Sequence, residues 1–429
     1  MKTSALHTPF SQEFRERLLE RFLRYVAIGT PSDRRLAAER TPSTESQWKL
    51  IRLLETELRQ AGLTEVTVNP EGFVVGRLAT NITPAGTAAG KVPRIGFIAH
   101  VDTASDVPGE DVRPRVHRDY DGGPIPLEGG VVLDPAENPR LSLYRGDTII
   151  TSDGTTLLGA DDKSGVAAMM SAAEYLVSHP EIPRPDLEFI FTPDEETGRG
   201  MDRFPRSLVR SQAAYTLDGD GEGVVEAECF NAYRLVAEFS GRVFHIGSAR
   251  GRLANAVAMA AMFVGLLPRN ESPEATDERF GYYCPMEIAG NLEKASVEVY
   301  LRDFEEEEIR RRIQGIRAFA AAVEAAFPGG KVGLREEKQY LNMREAFRRD
   351  PRVIDFLGEA VRATGMEPVF KSIRGGTDGA RLSEWGIPTP NIFSGGDNYH
   401  SRTEWAALSA MTRAAEVVVR LSEIWARKG

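Results

Sequence analysis

The sequence predicts an α/β protein: one layered domain built from two separated segments, with a smaller α+β domain inserted between them. Three observations carry this. Helix and strand patterns alternate through residues 1–222, as a layered α/β domain requires. Across residues 223–336 the order becomes strand-helix-strand-strand-helix-strand, which is that of a ferredoxin-like fold. The first alternation then resumes over 337–429, and a chain of 429 residues exceeds what one hydrophobic core usually serves.

The elements follow in order. Apolar residues recur at spacings of three and four over 14–28 and 44–61, predicting two amphipathic helices, the second opened by a capping box at Pro42-Ser43-Thr44-Glu45. Strand-rich runs follow at 65–77 and 94–102. The Gly-, Pro- and Asp-rich stretch 103–139 shows little periodicity, and a loop of that length usually has a functional reason. A helix is expected over 163–177, with strands at 187–191 and 214–217. The insert supplies strands within 226–239, a helix at 254–267, strands within 282–303, a charged helix at 305–327 and a strand at 331–336. A helix at 350–364, a strand at 368–371 and a last helix at 408–426 complete the chain.

Composition narrows the function. Apolar residues make up 41% and charged residues 27% of the chain, mixed in sign along its length, which describes a folded protein with a solvated surface. A formal net charge of -10 with no basic stripe argues against nucleic acid or anionic lipid as a partner. Cys229 and Cys284 cannot make a disulfide framework, which fits a reducing, cytoplasmic compartment. The first 28 residues interleave charge with apolar residues, unlike an export signal. The longest apolar run, 256–268, falls short of the about 20 residues that a membrane span needs.

Candidate chemistry sits where strands end. Strand 94–102 closes on Ala99-His100-Val101-Asp102, and residues two apart on a strand face one side, so His100 and Asp102 emerge together. Open α/β sheets place their sites at such ends. Asp102 there can fix the tautomer of a metal-ligating His100, although an HxD pair alone fits an ordinary buried or surface pair equally well. Gly159-Ala160-Asp161-Asp162-Lys163 puts two acids before a helix, which an acidic N-terminal cap explains by itself and a metal-bridging Asp161 explains as well. Three acids, Asp194-Glu195-Glu196, leave the apolar strand 187–191. Pro193 and Gly198 permit the turn that would let Glu195 and Glu196 share one site, and a solvated loop is the alternative. Asp218 ends strand 214–217, and His400 lies in a glycine-containing loop. His7, His117 and His179 lack such company and read as surface residues. Two histidines and several acids at the strand exits of one domain make the donor set of a hydrolytic zinc site.

The segments HVDT, TLLGADDKSG, FTPDEETG, YTLDG, RGGTDGARLS and NIFSGGDNYH, in this order, resemble the M20 family of metallopeptidases across essentially the whole chain. The resemblance implies a zinc-peptidase-like catalytic domain over 1–222 and 337–429, with 223–336 as a lid that also serves dimerisation. It implies two zinc ions, one on His100, Asp161 and Asp218 and one on Asp161, Glu196 and His400, with a water between them; cobalt or manganese could occupy the same ligands. It further implies Asp102 beside His100, Glu195 as general base, His245 as a donor to the oxyanion, and Arg374 and Asn255 as contacts to the substrate. Ile246 departs from the proline that most of the family carries after this histidine. The expected activity is removal of the N-terminal residue of short peptides, tripeptides foremost. A dipeptidase or N-acyl amino acid amidohydrolase would use the same centre, and a catalytically silent metal-stabilised binding protein is disfavoured by the retained Glu195.

Overall fold

The computed structural model describes residues 10–83 and 92–429, so His7 lies outside the described residues. The chain divides into two compact units. The first comprises Met1–Ala227, Glu345–Lys371 and Thr377–Gly429, and the second Glu228–Arg344 and Ser372–Gly376. The sequence pattern places the crossings at 222/223 and 336/337. The return of 372–376 to the second unit leaves no trace in that pattern.

The first unit is organised by an eight-stranded sheet. Its spatial order is Thr64–Val68, Val74–Leu78, Asp186–Thr192, Arg94–His100, Ala213–Gly219, Asn391–Phe393, Val224–Cys229 and Val369–Ile373. The four strands from Asp186–Thr192 to Asn391–Phe393 run parallel to one another. Arg94–His100 and Asp186–Thr192 are buried from their second residue onward, which is why their sequences are mostly apolar; the buried Glu188 that interrupts the second pairs with Arg77 at 2.9 Å. On one face Phe97 stacks on Phe189 and Tyr215, and the Tyr215 hydroxyl accepts a hydrogen bond from the Trp425 indole at 2.8 Å. Trp425 belongs to the last helix, Leu408–Lys428. On the other face Ile98, Ile190 and Ala214 pack with Phe73, Met201 and Leu382.

Helix Ala160–Ser178 is buried nearly all round, so its sequence is rich in Ala, Gly, Ser and Met rather than amphipathic. It packs against Gln12–Val26 and Leu408–Lys428. Gly165 permits its approach to the sheet: a Cβ there would fall 2.0 Å from the Leu217 carbonyl oxygen, next to Asp218.

Two expectations are corrected. The helix expected from residue 44 is Gln47–Gln60, and Ser46 makes no side-chain cap bond, so the capping box at 42–45 does not form. Ser43 donates its backbone N–H and its hydroxyl to the Asp194 carboxylate, and Gln47 donates its amide to the same group. A buried carboxylate is costly without donors, and satisfying it outweighs a cap. The 103–139 stretch is also more ordered than its composition suggests. Arg115–His117 pairs with Ile149–Thr151, which pairs with Trp405–Ala407, over a small core containing Tyr120, Leu133, Leu141 and Trp405.

The second unit has an antiparallel sheet in the order Tyr282–Gly290, Lys294–Asp303, Asn231–Ser240, Lys331–Tyr340. With helices Ala256–Leu266 and Glu306–Ala326 packed on it, this is the ferredoxin-like arrangement read from the element order. No helix among the described residues is long and apolar enough to cross a membrane.

Candidate metal centre

Five side chains converge from the carboxyl ends of the parallel strands and adjoining loops. His100 closes strand Arg94–His100 and Asp218 lies near the end of Ala213–Gly219. Strand Asp186–Thr192 leads into the single 3-10 turn Glu195–Thr197, bounded by Asp194 and Gly198 at φ 61° and 69°. The turn that the sequence permits is therefore made, and it carries Glu196 to the cluster. Asp161 sits at the start of helix Ala160–Ser178, and His400 follows the last parallel strand.

The distances define two overlapping sets. His100 Nε2 lies 2.9 Å from Asp161 Oδ1 and 3.7 Å from Asp218 Oδ1. His400 Nε2 lies 3.4 Å from Asp161 Oδ2 and 3.1 Å from Glu196 Oε2. His100, Asp161 and Asp218 thus form one group able to hold a metal ion, and Asp161, Glu196 and His400 a second, with ligand atoms in each group within 4.8 Å of one another. Asp161 turns one oxygen to each imidazole, the placement a bridging carboxylate needs.

The electrostatics ask for cations. Burial pushes Asp218 up to about 7, with the Asp161 charge adding to it, and burial followed by Asp161 does the same to Glu196. Burial would lower His100, but Asp218, Asp102 and Asp161 outweigh it and raise the imidazole well above its usual range. Hydrogen bonds to the Asp161 and Glu196 carboxylates raise His400 to about 11. Buried acids this close repel one another unless positive charge intervenes. Glu196 Oε1 is buried and has no hydrogen-bond partner, an orphaned acceptor that a metal ion would satisfy. Imidazole and carboxylate donors in two sets of three suit divalent zinc-type ions, so the residues present fit a dinuclear centre.

The centre is held by buried acceptors. His100 Nδ1 lies 3.0 Å from the Asp102 carbonyl oxygen, which leaves Nε2 to face Asp161. The Asp102 carboxylate accepts the backbone N–H groups of Glu195 and Glu196 at 3.0 and 3.2 Å, fixing the turn that carries both acids. Asp162 accepts from the His100 and Gly165 N–H groups. The buried ammonium of Lys163 donates to the Ile28 carbonyl.

Sequence reasoning missed Glu404, whose carboxylate accepts N–H groups from Leu158, Gly159 and Asp161 at 2.7 to 2.9 Å. It also missed Asp378, which accepts from the Thr192 hydroxyl, and Asp194, the acceptor for Ser43 and Gln47. The available signal was the spacing of Glu404, four residues beyond His400, and the position of Asp194 directly before two candidate acids.

Three expected site residues belong to the second unit. His245 is exposed and precedes the turn Ile246–Ser248. Asn255 caps helix Ala256–Leu266, its Oδ1 accepting from Val257 and Ala258. The Arg374 guanidinium donates to the Glu278 and Phe280 carbonyls and the Thr276 hydroxyl. In the first unit, Asp397 pairs with Arg140 and Tyr399 donates to the Gly396 carbonyl. His117 meets the Thr151 hydroxyl, and His179 stacks on Tyr175.

A mixed sheet whose four adjacent parallel strands end at two candidate metal-ligand sets sharing one aspartate fits a dinuclear metallohydrolase. The chain belongs to peptidase family M20/M25/M40, whose profile matches residues 157–423. Peptidase T of Clostridium perfringens strain SM101 is 42% identical over 409 residues, covering 95% of this chain and 99% of that protein. Peptidase T of Geobacillus thermodenitrificans is 42% identical over 416 residues, covering 96% and 99%. Among solved structures, an aminopeptidase from Bacillus cereus matches with a TM-score of 0.72 at 22% identity, covering 96% of this chain and 99% of that one. A Bacillus subtilis protein described as a dinuclear metal-binding peptidase of the M20 family matches at 0.64 with 15% identity, covering 97% and 99%. At these identities the two structures bear on the fold.

Proposed function

We propose that the chain is a two-zinc aminopeptidase that removes the N-terminal residue from tripeptides. The observation that carries this reading is the shared Asp161, one oxygen toward each imidazole, in a chain 42% identical to peptidase T relatives over nearly its whole length. The Bacillus cereus neighbour is itself described as an aminopeptidase, and a Staphylococcus aureus neighbour as a tripeptidase.

His100, Asp161 and Asp218 would hold one zinc, and Asp161, Glu196 and His400 the other. Bound there, the ions supply Lewis acidity toward the scissile carbonyl and lower the pKa of the attacking water. Glu195 takes the proton from that water and delivers it to the leaving amine. Its position on the turn that also carries Glu196 supports the role, and burial, with Asp218 and Asp378 adding to it against His100, raises its carboxyl above the usual range. Asp102 serves the reaction by holding that turn and His100.

His245 is assigned as donor to the developing oxyanion, and Arg374 and Asn255 as substrate contacts. The guanidinium of Arg374 suits a peptide carboxylate because it can bind one through parallel hydrogen bonds. The second unit would act as a lid and as the surface of a homodimer, with the protein working on short peptides in the cytoplasm. The test is hydrolysis of a matched di-, tri- and tetrapeptide series by the zinc-loaded protein, with a chelator control and products identified by mass. Chelator-sensitive release of the first residue from the tripeptide is expected. Cleavage confined to dipeptides or N-acyl amino acids would overturn the tripeptidase assignment.

A further inference from the structure

The segment that follows strand Arg94–His100 carries Asp102 and, four residues further on, Asp106. Asp102 already fixes His100, its carbonyl oxygen 3.0 Å from Nδ1. His400 has the same need, because an imidazole that presents Nε2 to a metal must keep its proton on Nδ1 and give it to an acceptor. Its environment makes the need greater. The His400 side chain is 42% exposed against 2% for His100, so packing restrains its ring less. The structure places Asp106 Oδ2 3.2 Å from His400 Nδ1, on the side of the ring opposite the contacts of Nε2 with Asp161 and Glu196.

We propose that Asp106 is the positioning residue of His400, fixing its tautomer and ring orientation for one of the two metal ions. One loop would thus orient both metal-binding imidazoles, His100 through Asp102 and His400 through Asp106. The inference rests on the two-metal reading above. Its consequence is selective: only the ion held by Asp161, Glu196 and His400 depends on Asp106, whereas Asp161 and Glu404 bear on both. Asp106 is 66% exposed, and an exposed ion pair contributes little to folding, so its replacement leaves the metal-free protein folded.

The experiment is zinc titration of the full-length metal-free protein against a chromogenic chelator, with thermal unfolding of each metal-free variant as a control. Wild type is expected to bind two zinc ions. Asp106→Ala is expected to bind one with unchanged affinity and the other about ten- to a hundredfold more weakly, the usual effect of removing such a partner. Asp106→Asn, which keeps one acceptor oxygen, is expected to fall between them, and all unfolding midpoints to coincide. Unchanged affinity at both sites in Asp106→Ala, or equal weakening at both, would overturn the assignment. A wild-type protein binding fewer than two zinc ions would overturn the two-metal reading itself, and this inference with it.

Discussion

Asp102 accepts the backbone N–H of Glu195 at 3.0 Å, and its other oxygen accepts that of Glu196 at 3.2 Å. A residue that the HxD motif pairs with His100 thus also fixes the turn bearing the proposed general base and a proposed metal ligand. Asp102→Ala leaves two N–H groups without their acceptor, a loss of about 1–3 kcal/mol for each buried group left unsatisfied. The expected outcome is a lower unfolding midpoint together with roughly a hundredfold drop in kcat, since misplacing a catalytic group by about 1 Å has that effect. Peptide kinetics and thermal unfolding on the same preparation check both.

Glu404 makes a second prediction. Its carboxylate accepts N–H groups from Leu158, Gly159 and Asp161, and so sets the loop that presents Asp161, the proposed shared ligand. Glu404→Gln replaces an accepting oxygen with a donating amide facing N–H groups. Affinity for both metal ions is expected to fall together, with a stability loss of about 1–3 kcal/mol in the metal-free protein. Metal titration distinguishes this from a change confined to one site.

His400→Ala should remove one metal ion and spare the other, because His400 belongs to one of the two ligand sets. Its side chain is 42% exposed, so folding is expected to survive. Metal content by atomic emission should fall toward one ion per chain, and peptide hydrolysis should fall with it.

Stability should also respond to pH through Glu416, in helix Leu408–Lys428. Burial raises its carboxyl from the ordinary 4.5 to about 7, against the opposing charges of Arg420 and Arg413. A raised acid binds its proton more tightly in the folded chain, so the stability it contributes is full below about 4.5 and is lost as pH rises toward 7. Glu416→Gln removes that titration. Urea unfolding of the metal-free protein should therefore show the variant gaining on wild type between pH 5 and pH 8, by about 1–2 kcal/mol.

Much of this candidate centre was legible because the residues that converge there stand beside backbone features that sequence records. His100 and Asp218 close apolar strands, Asp161 opens a helix of small residues, and Glu195 and Glu196 lie between Pro193 and Gly198. Strand ends and turns are local, so the residues at them can be read. Glu404, Asp378 and Asp194 were harder to read, since each accepts from groups far away in sequence, and the position of Glu404 near His400 or of Asp194 before Glu195 does not tell which partner a buried acid finds. The same cause misdirected the reading of Ser43, whose pattern suits a helix cap while its hydroxyl serves Asp194 across the fold. The two strands Val224–Cys229 and Asn231–Ser240 look continuous in sequence, yet they join different sheets.

The proposed mechanism divides the work, Glu195 moving the proton while other residues hold the metal. Its most direct test is Glu195→Gln, assayed for tripeptide hydrolysis and for bound zinc on one preparation. Two zinc ions per chain, a wild-type unfolding midpoint and a fall in kcat of about 10²–10⁴, the range of general acid–base catalysis, are expected. Turnover near the wild-type rate with both ions bound would contradict it.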